Sequence, residues 1–127
     1  MEARILAPRN IVLVVEDEPF VRLMAADVLS LAGYSVMEAR NADEALRILE
    51  GQADVVVVFT DIDMPGSIDG LALAERIGQR WPQIDIVFTS GHRYNMARIP
   101  CERRFLAKPY AGAELIRQIA ETIRARH

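Results

Sequence analysis

Four short groups of residues carry the chemistry available to this chain: Glu16-Asp17-Glu18, Thr60-Asp61-Ile62-Asp63, Thr89-Ser90-Gly91 and Lys108-Pro109. The acids sit in two tight groups. Brought to one place, such carboxylates repel one another, and a hard cation is the natural neutraliser. With only oxygen ligands on offer, Mg2+ is favoured, because it keeps several waters and shares its shell with phosphate. A lysine and a threonine beside the metal supply charge and a hydrogen-bond donor for phosphate oxygens. A carboxylate in that setting acts as a nucleophile and forms an aspartyl phosphate. The chemistry implied is Mg2+-assisted phosphoryl transfer onto an aspartate.

That chemistry requires the four groups to converge, so the elements that carry them matter. Ile11 to Val15 (IVLVV) is a continuous apolar, β-branched run, as expected of a strand buried on both faces. Pro19 suits a first helical turn, and a helix through Val21, Met24, Ala25, Val28 and Leu31 should stop at Gly33. Tyr34 to Ala39 reads as a second strand. Asn41 with Glu44 resembles a capping box opening a helix that Gly51 ends. Val55 to Phe59 (VVVVF) is the strongest strand, followed by a loop over Met64 to Gly70 and a helix carrying Leu71, Ala74 and Ile77. Trp81-Pro82 closes that unit. Ile84 to Thr89 and Arg103 to Ala107 read as the fourth and fifth strands, and Leu115, Ile116, Ile119 and Ile123 mark one face of a final helix. Alternation of this kind implies an α/β fold, a doubly wound five-stranded parallel sheet with helices on both faces. Ligands of such sheets collect beyond the carboxyl ends of the strands, where all four groups fall.

The order Glu16-Asp17, then Asp61-Ile-Asp-Met-Pro-Gly66, then Thr89-Ser-Gly, then Lys108-Pro109 resembles the receiver domains of bacterial response regulators. The resemblance covers about Asn10 to Arg124. It implies a flavodoxin-like (βα)5 fold with strand order 2-1-3-4-5. It also implies that Asp61 takes a phosphoryl group from a phosphohistidine on a sensor histidine kinase or phosphotransfer protein. Mg2+ would be bound by Asp17, Asp61 and the backbone carbonyl of Asp63, with Glu16 reaching it through water. Thr89 and Lys108 would contact the phosphoryl oxygens, and Phe105 stands where the family places a switch aromatic. Two departures are visible. Ser67-Ile68 lengthens the loop after Asp61, and His92 to Glu102, broken by Pro100, leaves room for a fourth helix that is short or absent.

Plainer roles compete for some of these residues. Asp17 and Glu18 could simply open a helix, since acids favour helix N-termini. Phe105 is more often core than switch, Asp69 reads as a helix cap, and Lys108 by itself reads as a surface lysine. Two other functions also compete. Asp61-Ile62-Asp63 is similar to the nucleophile motif of haloacid-dehalogenase-like Mg2+-dependent phosphatases, although those place it on the first strand. A receiver-like interaction module that is not phosphorylated is the other alternative.

The 127 residues fit one domain over 1–127 with its core at about 10–124, and 51% hydrophobic with 26% charged residues suits a packed core under a charged surface. No apolar run approaches the ~20 residues a membrane span needs. The formal charge of -3 and the lack of a basic stripe speak against nucleic acid as a partner. Cys101 is the only cysteine, which favours a reducing, cytoplasmic setting. The expected role is that of a signalling phosphoacceptor rather than an enzyme. An unknown downstream protein is expected to bind near Arg103, Arg104 and Arg117.

Overall fold

The computed structural model describes residues 11–52, 54–91 and 104–126. Five strands, β1 (Ile11–Val15), β2 (Ser35–Ala39), β3 (Val55–Asp61), β4 (Asp85–Ser90) and β5 (Phe105–Ala107), form one parallel sheet in the order β2-β1-β3-β4-β5. Among the described residues there are four helices: α1 (Pro19–Leu31), α2 (Ala42–Gly51), α3 (Gly70–Arg80) and α4 (Gly112–Arg126). This is the doubly wound flavodoxin-like architecture expected. The expectation of a short or absent helix between the fourth and fifth strands concerns residues outside those described.

Alternation along the central strands sends successive side chains to opposite faces, and both faces are buried. Leu13, Val15 and Val58 pack with Ala45, Leu49, Leu73 and Ile77 of α2 and α3. Val12, Val14, Val57 and Phe59 pack with Ala25, Leu29, Leu115 and Ile119 of α1 and α4. That two-sided burial is why β1 and β3 read as unbroken apolar runs.

Local signals end the helices much as the sequence expects. Glu18 caps α1 and Pro19 opens it, while Gly33, at φ +103°, closes it with a backbone turn that side-chain-bearing residues avoid. Asn41 accepts a hydrogen bond from the Glu44 amide at 2.8 Å. The Glu44 carboxylate reaches back to the Arg40 amide at 2.6 Å, one residue earlier than in the usual box. Asp69 caps α3 through the Ala72 amide at 2.9 Å.

Strand boundaries differ from the sequence expectation for tertiary reasons. Tyr34 is left out of β2 because its amide completes the α1 terminus through the Leu29 carbonyl. Ile84 belongs to the turn before β4, with its amide on the Trp81 carbonyl. β3 runs on through Thr60 and Asp61 because strands flank it on both sides, pairing Val15 with Thr60 and Asp61 with Thr89. β5 is a three-residue strand that, among the described residues, pairs with β4 alone.

At the foot of the sheet, opposite the strand ends that carry the acidic groups, Asp85 ties three elements together. Its carboxylate accepts from Arg104 at 2.7 Å and from Arg126 at 2.8 and 3.0 Å, and its side chain is 8% exposed. Arg104 is therefore engaged in the fold, which removes it from the free basic surface expected around Arg103, Arg104 and Arg117. Burial alone would raise the Asp85 carboxyl, but the hydrogen bonds from Arg126 and Arg104 outweigh it and hold the group below its ordinary value. A folded-state pKa below the unfolded one gives stability that is full above the unfolded value and is lost as pH falls through the folded one. Asp85→Asn is accordingly expected to lower the urea midpoint at pH 7, with the deficit shrinking below about pH 4. An equal deficit at pH 7 and pH 2.5 (roughly one unit or more below an ordinary carboxyl) would show that charge at Asp85 is not what stabilises this corner.

Candidate functional site

β1 and β3 are adjacent, yet their chain connections leave toward opposite faces, so a crevice opens above their carboxyl ends. The last residue of β3 is Asp61, 5% exposed, and the residue after β1 is Glu16, 3% exposed. Asp17 follows on the surface. Carboxylate oxygens of Glu16, Asp17 and Asp61 all lie within 4.8 Å of one another. The ammonium of Lys108, just past β5, bridges the two buried members at 2.8 Å from Glu16 Oε1 and 2.9 Å from Asp61 Oδ2. Its backbone amide is pinned to the Ser90 carbonyl at 3.0 Å, and its peptide bond to Pro109 is cis.

Charge balance follows from these contacts. Burial raises the Glu16 carboxyl, the Lys108 hydrogen bond pulls it back, the neighbouring Asp61 charge pushes it up again, and the net displacement is upward. Burial would depress the Lys108 ammonium, but hydrogen bonds to Glu16 and Asp61 prevail and raise it. Tyr110 lies edge-on to Phe59, with ring centres 5.6 Å apart. Burial, reinforced by the Glu16 charge, pushes its hydroxyl up to about 12. One lysine against three carboxylates leaves negative charge uncompensated. The donors are all oxygen, and Asp17 keeps the cluster open to water. This set suits a hard, partly hydrated cation such as Mg2+.

Thr89 lies directly across from Asp61 in the β3–β4 register, and the Ile62 amide bonds its carbonyl at 2.9 Å. Its hydroxyl is buried and, among the described residues, is the one buried side-chain polar atom with no hydrogen-bond partner. A buried donor left unpaired opposite the acidic cluster is suited to an oxygen that arrives with a ligand. Asp63 stands apart. Its amide donates to Asp61 Oδ1 at 3.2 Å, while its carboxylate accepts from Ser90 Oγ at 2.9 Å and lies outside the three-carboxylate group. Phe105 is half-buried and packs against Ile62 and Phe88. The structure thus brings Glu16, Asp17, Asp61, Thr89 and Lys108 together, sets Asp63 at the rim and places Phe105 behind β4.

Two contributors are not legible as site residues from the sequence. Gly70 begins α3 directly against the end of β3. A Cβ there would collide with the Asp61 carbonyl and stand 2.8 Å from Ile62 Cα. A glycine following a good cap is the faint signal that space is required. Arg22, on α1, donates to the Glu16 carbonyl at 3.0 Å, a contact only folding creates.

A parallel sheet with an acidic, lysine-bridged crevice at its switch point defines a doubly wound α/β domain with a polar site at its carboxyl edge. The family model described as the response regulator receiver domain matches residues 12–120, and the chain belongs to that family. The chain is 37% identical over 120 residues to the sensor kinase CckA of Brucella abortus, covering 89% of this chain and 12% of that protein. It is 32% identical over 123 residues to the nitrogen assimilation regulatory protein NtrX of Azorhizobium caulinodans, covering 91% and 27%. A response regulator receiver protein from Sinorhizobium medicae superposes with a TM-score of 0.85 at 28% identity, covering 93% of this chain and 97% of that one. The chain therefore spans only a minor part of these two curated relatives and nearly all of the solved receiver. It is a receiver domain of the two-component type. Neither fold nor family supports the haloacid-dehalogenase-like alternative.

Two outcomes test this geometry. Thr89→Val, which removes an unpaired buried hydroxyl while keeping its shape, is expected to leave unfolding free energy unchanged or raise it by about 1 kcal/mol. A clear loss of stability would mean the hydroxyl already has a partner. Gly70→Ala should lower stability by about 1–3 kcal/mol through overpacking. Gly78→Ala, on the exposed side of the same helix with nothing within 4 Å, should raise it by up to about 1 kcal/mol. Similar changes in both would rule out close packing as the reason for Gly70.

Proposed function

We propose that Asp61 accepts a phosphoryl group from a phosphohistidine on a sensor histidine kinase or phosphotransfer protein, and that the chain signals through that group rather than turning over a substrate. The observation that carries this reading is Asp61 at the end of β3, with Lys108 Nζ 2.9 Å away and Thr89 beside it in register. A carboxylate oxygen of Asp61 attacks phosphorus, the phosphorus–nitrogen bond breaks, and the electron pair stays with the departing imidazole. Lys108 offsets the charge gathered on the phosphoryl oxygens, and the Thr89 hydroxyl donates to one of them. Asp17 and Asp61 would hold Mg2+ with the Asp63 carbonyl, and Glu16 would reach it through water. The bond from Ser90 to the Asp63 carboxylate supports a backbone rather than side-chain role for Asp63. Bound there, the cation supplies charge neutralisation for phosphoryl transfer.

Helix α1 offers a surface for the donor. Phe20, Leu23, Met24 and Leu31 are 78%, 51%, 66% and 89% exposed. The stripe begins beside the acidic loop and runs into a hollow of about 400 Å3 lined by Val21, Met24, Gly91, Lys108, Pro109 and Tyr110. An apolar surface continuous with Lys108 suits a partner that must deliver a phosphoryl group to Asp61. Toward a downstream protein, movement of the Thr89 hydroxyl onto the phosphoryl group would let Phe105 repack, a two-state change biased by one hydrogen bond. Arg117 is exposed on α4.

Acetyl phosphate with Mg2+, followed by intact mass, tests the assignment. The unmodified chain should gain one phosphoryl group and Asp61→Asn none, with fold retained by circular dichroism. Full labelling of Asp61→Asn would sink it, and steady hydrolysis of a phosphomonoester would favour an enzyme.

A further inference from the structure

Asp17 is the exposed member of the acidic cluster, and no side chain or amide among the described residues bonds its carboxylate. Its direction therefore depends on its backbone. The peptide linking Glu16 to Asp17 is a rigid plane that carries the Glu16 carbonyl at one end and the Asp17 amide at the other. β1 stops at Val15, so the Glu16 carbonyl has passed the end of the strand while its residue is still buried. A buried carbonyl there needs a donor. Arg22 provides it: Nη1 lies 3.0 Å from the Glu16 oxygen, and Nε lies 3.1 Å from Glu38 Oε1 on β2. The Glu16 amide is held from the other side by the Ala39 carbonyl at 3.0 Å.

From this we infer that Arg22 is a positioning residue for the metal-binding acids. Its guanidinium fixes the Glu16–Asp17 peptide plane and so aims the two carboxylates at Asp61. The planar fork makes this an arginine task, because two N–H groups with set directions meet two acceptors, one on the loop after β1 and one on β2. Glu38 balances the guanidinium charge, which keeps it from opposing a cation a few residues away. The Arg22 side chain is 17% exposed and the Glu38 side chain 40%, so the clamp is sheltered where it grips the loop and wetter where it is neutralised.

The inference rests on the Mg2+ reading above, and its test separates the two. Mg2+ binding to the full chain is measured by titration calorimetry for the unaltered protein, Arg22→Gln, Arg22→Lys and Asp17→Ala. Removing a positive charge near a cation site would, on charge alone, tighten binding. Positioning predicts the opposite sign: Arg22→Gln should weaken Mg2+ by about tenfold, the lower end of what lost outer-shell partners cost a metal site. With Mg2+ raised to saturation, labelling of Asp61 by acetyl phosphate should return to the unaltered rate, because Arg22 touches no reacting atom. Arg22→Lys should fall between, and it decides the matter by the same sign should Arg22→Gln fail to fold. Unchanged or tighter Mg2+ binding in the arginine variants, with Asp17→Ala weakened, would overturn the inference and leave the metal reading intact. Unchanged binding in Asp17→Ala as well would remove the metal reading and this inference together.

Discussion

Crowding of like charge at the end of a buried sheet is the constraint on which the rest of this domain depends. Two unit charges about 4 Å apart at an effective dielectric of about 20 interact by about 4 kcal/mol, so one lysine between two acids settles much of their mutual repulsion. Lys108 does this for Glu16 and Asp61, which are 3% and 5% exposed. Asp17 adds a further carboxylate at the open side. The cluster is thus held together without being neutral. A site left short of positive charge in this way suits a hard cation.

Keeping such groups in place requires a scaffold that does not yield. The central strands supply it because both faces are closed by helices, and the apolar side chains that close them lie below the polar crevice. Apart from Thr122 on α4, the buried polar residues among those described lie at or next to strand ends. At the upper end the close seat of Gly70 lets α3 begin against the Asp61 backbone. At the lower end Asp85 joins the start of β4 to Arg104 before β5 and Arg126 of α4. A short strand such as β5 needs an anchor of this kind, because among the described residues β4 is its only paired strand and it carries Phe105 and leads to Lys108.

The family match places these features in a module that larger proteins reuse. The matched segment makes up 12% of CckA and 27% of NtrX, so the same fold is attached to different surroundings. Around the crevice, the helices present surfaces of differing character to solvent. The exposed apolar stripe of α1 is the most pronounced of those surfaces among the described residues.

Much of this was legible in the chain itself, for identifiable reasons. Continuous β-branched runs mark strands buried on both faces, and caps at Asn41 and Asp69 and the turn at Gly33 act over a few residues. Strand-end position, rather than any single motif, singled out Glu16, Asp17, Asp61, Thr89 and Lys108. What tertiary structure decided were matters of pairing across distance. Sequence cannot say that Asp63 turns its carboxylate to Ser90, twenty-seven residues away, instead of to the cluster. Nor can it show that Arg104 is consumed by Asp85, or that Arg22 grips the Glu16 carbonyl. Local preferences fix how a short segment folds, but the partner of a long charged side chain is chosen only when separate segments are brought together.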